Sequence, residues 1–263
     1  MRDLSFYKQV DHPQVEYRGH PFNMPVFYYD VTAVMVGFLT PLDKVTALLP
    51  SARMKPLRAT PWHTVTAIAC FEYRDCDAGP YNEVAITFPF TMDRLAPIFT
   101  GLLQHIAAGP MAYIYKLPVT TEIARQFGVD FYNFPKFLAK IDFSRDGGWV
   151  HCHLSEGGHS IFTLSSKMLP VKSSGRWRFD CFSVRDDRIL RSEVTVNVRQ
   201  QVISRNPKNV TFELGDHNLA QELRNLKLGR MVHLQYLPAC QTILSSVIES
   251  YEMNEPVLSS VKP

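Results

Sequence analysis

The chain has 263 residues, 46% of them apolar, a formal charge of +3 and only 20% charged side chains. That is enough to fill the core of one large domain. Because Lys and Arg are not gathered into runs that would track a phosphate backbone, nucleic acid is excluded as an expected partner. Residues 1–15 carry acidic side chains and no apolar run of seven, so they read as neither a signal peptide nor a membrane span, and a cytoplasmic location is expected.

Residues 1–25 are polar, aromatic and proline-punctuated, which reads as an arm laid on a single domain spanning 26–263. Such an arm suits oligomer contacts. Residues 26–39 (VFYYDVTAVMVGFL) are rich in β-branched and aromatic side chains and read as a long strand, bulged at Gly37. Thr40 as N-cap, Pro41 at the first helical position and Leu42, Val45, Leu48 and Leu49 on one side predict a helix that Pro50 stops. Two strands follow at 65–73 and 83–90, joined by RDCDAGPYN, whose Asp, Gly and Pro content is turn chemistry. Glu72 and Glu83 flank that connection.

Residues 91–109 read as a partly helical lid, with Pro97 and Gly101 interrupting a longer helix. A strand at 112–119 precedes a short helix capped by Thr120 and closed by Gly128 as its C′ residue. Runs at 137–143, 149–155, 160–169, 176–184 and 189–204, separated by DGG, EGG, KSSG and DD, form a meander of strands. A further strand at 209–214 and a helix at 217–226 follow. In residues 237–251, Ile243, Leu244, Val247, Ile248 and Tyr251 recur at three- and four-residue spacing, which predicts a terminal helix. The fold class expected is α+β, mostly antiparallel β, with the strands curling into a barrel.

The five cysteines are odd in number, scattered and never spaced CxxC, so neither a disulfide framework nor a zinc ribbon is expected. His151 and His153 share a strand face but lack a fixed third ligand, so they read as ordinary strand residues, and no metal is expected.

The chemistry concentrates at 128–140 (GVDFYNFPKFLAK), where Lys136 follows a proline among Phe131, Tyr132, Phe134 and Phe137. A free lysine titrates near ~10.4, so turning it into a nucleophilic amine at neutral pH requires destabilising the ammonium by ~4 kcal/mol. Burial among aromatic rings acts in that direction. Lys136 is thus either a snorkelling surface residue or an amine that attacks a ketone to form a Schiff base, with Glu83 or Glu72 moving the protons. Lys140 shares its strand face ~13 Å away, too far for strong coupling.

These residues resemble the acetoacetate decarboxylase family. Gly128, Asp130 and the ending Asn133-Phe134-Pro135-Lys136 match its glycine, acidic residue and aromatic-Pro-Lys. Tyr81-Asn82-Glu83 matches its Tyr-x-Glu, and Phe71-Glu72 its upstream Phe-Glu. The Leu48-Leu49-Pro50 helix end and residues 209–238 also align. The resemblance implies a β-barrel wrapped by additional sheet and a few helices in a homo-oligomer. It also implies cofactor-independent lyase chemistry on a small-molecule keto acid, with Lys136 forming the Schiff base, Glu83 handling protons and Glu72 supporting. Tyr81, Phe134, Phe137 and Tyr236 would line the substrate.

Two departures stand out. Phe137 replaces the family's second lysine, leaving desolvation alone to activate Lys136, and Val31 occupies the place of an arginine that engages substrate carboxylate. Arg53, Arg58 and Arg74 are the cations available elsewhere for that task. Decarboxylation of a β-keto acid is the simplest activity implied. Relatives that condense and dehydrate α-keto acids, with a C-terminal tyrosine for which Tyr236 is the candidate, make an aldolase–dehydratase the alternative. A non-catalytic binder retaining the pocket is a third reading. A Ser or Cys hydrolase comes last, since no G-x-S-x-G stretch is present.

Overall fold

The computed structural model describes residues 2–93, 110–171 and 175–254. The elements run β1 (Gln14–Tyr17), β2 (His20–Asn23), β3 (Val26–Pro41), α1 (Leu42–Thr46), β4 (Met54–Pro56), β5 (His63–Cys76), β6 (Tyr81–Met92), β7 (Met111–Val119), α2 (Glu122–Tyr132) and β8 (Lys136–Leu138). They continue with β9 (Lys140–Asp146), β10 (Trp149–Glu156), β11 (His159–Lys167), β12 (Arg176–Arg185), β13 (Arg188–Ser204), β14 (Val210–Leu214), α3 (Asn218–Asn225) and β15 (Met231–Glu252). No helix among the described residues is long and apolar enough to cross a membrane.

The order β6-β5-β3-β15-β13-β12-β7 closes on itself because β6 also pairs with β7, giving a seven-stranded barrel. Neighbours are antiparallel except at β7, which runs parallel to β12 through its first half and parallel to β8 through its second. A closed sheet has no free edge along these strands. Residues from all seven strands form one apolar cluster in the lumen, among them Val31, Tyr73, Tyr81, Leu117, Cys181, Val196 and Leu237.

A second sheet, β14-β11-β10-β9, lies over the outside of the wall. Its Ile141, Cys152, Leu154, Ile161 and Leu164 pack on Val34, Ile68, Cys70, Val84 and Leu234, with α3 adding Leu219 and Leu223. One mouth of the barrel is plugged by α2 and the β1–β2 hairpin, where Phe127 meets Phe22 at a ring separation of 4.1 Å and Tyr17 at 5.8 Å. The expected barrel with additional sheet and few helices is therefore the observed architecture.

Four expectations are corrected. Residues 237–251 are not a helix but lie within β15, which pairs with both β13 and β3. The reason is two-sided burial: Leu244 and Val247 pack towards the lumen, whereas Ile243 is covered outside by Phe6, Tyr7 and Phe27 of the arm and β3. Apolar side chains on both strand faces imitate helical spacing. The helix at α1 is a single turn starting after Pro41. Thr40 belongs to β3, with its hydroxyl on Phe38 O and Thr66 Oγ1. Gly128 does not end α2, which continues to Tyr132 and stops at Asn133, a left-handed residue with φ of 50°. Finally, residues 137–143 are not one strand, because Ala139 separates β8 from β9. Of the expected lid, Thr91 and Met92 belong to β6, and residues 94–109 lie outside the described residues.

Candidate active site

Lys136 and Glu83 are drawn together across β7. Glu83 of β6 pairs with Val119 and Lys136 of β8 pairs with Leu117, so the two flank the same strand and point inward with their buried partners. Strands sit ~4.8 Å apart, so two long side chains can meet across an intervening strand. Their contact is Lys136 Nζ to Glu83 Oε2 at 2.8 Å, with only 6% and 9% of the respective side chains exposed.

Glu83 Oε1 accepts a hydrogen bond from the Tyr73 hydroxyl at 3.1 Å. Tyr28 and Tyr81 bond each other through their hydroxyls at 3.2 Å, and the Lys136 ammonium lies 5.5 Å from the Tyr81 ring centroid. Burial pushes all three phenols well above the ordinary tyrosine range, and the Glu83 charge adds in the same direction. They are neutral hydroxyls at neutral pH. A β-bulge around Asp30 turns both Tyr28 and Val31 into the lumen, which simple alternation along β3 would not allow.

Gly128 has a different role from the expected cap. A Cβ at this position would lie 2.4 Å from Lys136 Cδ and Cε and 3.0 Å from Nζ. The buried face of α2 formed by Ala124, Phe127, Gly128 and Tyr132 therefore leaves one gap, and the lysine runs through it. The tight exit from α2, with Phe134 N donating to Gly128 O at 3.1 Å, delivers Lys136 to β8. Asp130 serves the plug instead: it accepts from Tyr17 Oη and the Arg18 guanidinium, each at 2.7 Å.

The other residues expected at the site divide between the two faces of the wall. Tyr81 and Phe134 lie in the lumen cluster, Phe134 stacked on Tyr132 at 5.0 Å. Phe137 packs in the outer cluster, as its neighbour position in a strand requires, and Tyr236 is buried there too. Glu72 pairs with Asn82 one register step from the Phe71–Glu83 pair, which turns it outward. There Glu72 Oε2 binds Arg74 at 2.9 Å and Arg145 at 2.5 Å. Placing Glu72, Phe137 and Tyr236 beside Lys136 is thus corrected by strand alternation. A lysine at position 137 would also point away from Lys136, so Phe137 has little bearing on the amine.

Of the proposed carboxylate-binding cations, Arg74 is held by Asp30 and Glu72, and Arg53 by Asp93 at 2.8 Å. Arg58 joins Thr64 in an isolated bridge. Lys140 is exposed and paired with Asp142. His151 and His153 contact Ser165 and Thr163 on the neighbouring strand, and no group of three or more ligating side chains among the described residues is placed to hold a metal ion. Tyr73, which bonds Glu83, belongs to none of the sequence motifs. Tyr73 shares the parity of Phe71 on β5, and that was the available signal.

The family model described as Acetoacetate decarboxylase (ADC) matches residues 12–251. No curated protein sequence matches the chain. Among solved structures, an acetoacetate decarboxylase from Legionella pneumophila subsp. pneumophila str. Philadelphia 1 is 16% identical with a TM-score of 0.65, over 86% of this chain and 88% of that one. The enduracididine biosynthesis enzyme MppR complexed with pyruvate is 15% identical with a TM-score of 0.60, over 87% and 89%. An acetoacetate decarboxylase-like enzyme from Sphingomonas wittichii RW1 is 13% identical with a TM-score of 0.51, over 89% and 96%. At these identities the likeness is one of fold. The match of the family model over most of the chain goes further: this protein belongs to the acetoacetate decarboxylase family.

Proposed function

We propose that the chain is a cofactor-independent lyase that forms a Schiff base between Lys136 and a keto acid, most simply a β-keto acid that it decarboxylates. The observation that carries this reading is the buried 2.8 Å contact between Lys136 Nζ and Glu83 Oε2 in the barrel lumen. An ion pair taken out of water loses much of the solvation that favours separated charges, so moving the proton from ammonium to carboxylate gives a neutral amine and a neutral acid at modest cost.

The amine then attacks the ketone carbon, and the protonated Glu83 donates to the departing oxygen, releasing water and leaving a protonated imine. Cleavage of the bond to the carboxyl group sends its electron pair into the imine, so carbon dioxide leaves and an enamine remains. Protonation at carbon and hydrolysis by water return the ketone and the free lysine. Val31 is wholly buried in the lumen and brings no cation there.

The same Val31 favours the alternative reading as an aldolase–dehydratase on an α-keto acid, since no cation is supplied from that position, and the likeness to MppR with bound pyruvate agrees. Homo-oligomeric assembly belongs to the same proposal. Borohydride reduction in the presence of acetoacetate or pyruvate, followed by peptide mass spectrometry, is expected to leave the adduct on Lys136. An adduct elsewhere, or none, defeats the proposal. Carbon dioxide release against formation of a condensation product separates the two lyase readings.

A further inference from the structure

Glu83 can serve Lys136 only if its carboxylate is held in one orientation, and among the described residues the Tyr73 hydroxyl donates to that carboxylate. We propose that Tyr73 is a positioning residue for the reaction, holding Glu83 Oε1 so that Oε2 remains on Lys136 Nζ. This extends the Schiff-base reading above.

Three observations carry it. The Tyr73 hydroxyl donates to Oε1 at 3.1 Å while Nζ occupies Oε2 at 2.8 Å, so each carboxylate oxygen has its own partner. Among the described residues, Oε2 has no hydrogen-bond partner of good geometry, so the Lys136 contact is electrostatic and leaves the carboxylate free to rotate about its last torsion unless Oε1 is fixed. Tyr73 is itself immobilised, its ring 4.4 Å from Tyr28, 4.7 Å from Tyr81 and 5.5 Å from Phe71.

The titratable groups facing Glu83 are Lys136 from β8, Tyr73 and Cys76 from β5, Tyr81 from β6, Tyr28 from β3 and Cys181 from β12. Of these the phenols and the two thiols are protonated at neutral pH, because burial pushes each of them up. Lys136 is the one cation of the set, and Tyr73 is the phenol that bonds the carboxylate. A hydrogen bond to the charged form of a carboxylate favours that form.

Tyr73→Phe removes the donor and keeps the ring. With acetoacetate or pyruvate, whichever the wild type turns over, the expected result is kcat lower by roughly 10- to 100-fold with KM within about threefold. The acidic limb of the pH–rate profile is expected to move up by about one to two pH units. Tyr28→Phe, which removes an equally buried hydroxyl bonded to Tyr81, is expected to leave that limb in place.

Carbon-13 NMR of the labelled Glu83 carboxyl reads the same contact without turnover: its resonance at neutral pH should shift in Tyr73→Phe and not in Tyr28→Phe. Equal shifts in both variants, or none in either, overturn the role of Tyr73. If borohydride traps nothing on wild-type Lys136 while the carboxyl resonance still responds to Tyr73→Phe alone, the positioning contact stands and the Schiff-base reading falls.

Discussion

Substituting Gly128 by Ala separates the proposed Schiff-base chemistry from folding in this protein. The backbone at Gly128 is helical with no positive φ, so alanine fits α2 and gains up to ~1 kcal/mol of intrinsic helix propensity. The new methyl, however, would lie 2.4 Å from Lys136 Cδ and Cε. Carbon atoms settle ~3.5–4.0 Å apart, so the lysine must retreat by ~1 Å or more. As a flexible side chain it can move without unfolding the barrel, but its amine then leaves the 2.8 Å contact with Glu83. A misplacement of ~1 Å costs on the order of 100-fold in rate. The assay is the rate of borohydride-trapped adduct formation with acetoacetate or pyruvate, beside a thermal melt. The expected outcome is a fall of about 100-fold with Tm changed by only a few degrees. Trapping at the wild-type rate would refute the argument that Lys136 works from the gap opposite Gly128.

Two further outcomes concern stability. Lys136→Met leaves the Glu83 carboxylate buried without its cation, which costs ~3–5 kcal/mol and lowers Tm by roughly 10 °C, whereas adding Glu83→Leu should restore most of the loss; a double variant no more stable than the single one would show that the pair is not isolated in the lumen. Asp130 is held below the usual carboxylate range by Tyr17 Oη and then by Arg18. Its contribution is therefore full above pH ~3.9 and is lost as the pH falls through the depressed folded value. Asp130→Asn should melt slightly earlier than wild type at pH 7, with the gap closing in strong acid; a gap that persists at low pH would point to lost shape rather than lost charge.

Much of the proposed site was legible in one dimension. Lys136 among aromatic residues, Glu83 after Tyr81, and the glycine eight residues before the lysine were all visible, as were the strand runs and the turns between them. Their local physics is short-ranged: β-branched alternation, turn residues and an aromatic neighbourhood are properties of a few consecutive positions. Asp130 was visible too, but its partners Tyr17 and Arg18 lie more than a hundred residues away in the arm.

Three matters were decided by closure of the barrel. A closed wall has an inside and an outside, and period-two alternation sends Glu83 and Glu72 to opposite sides although both stand near the same turn. The same rule parts Lys136 from Phe137 and leaves Tyr236 in the outer cluster. Burial of β15 on both faces erased the alternation that would have marked it as a strand. Sequence by itself determined which residue types could perform Schiff-base chemistry. Only the tertiary structure decided which of them share the lumen, because that depends on registers and bulges set by strands distant along the chain, and it showed that Gly128 is small so that Lys136 can pass.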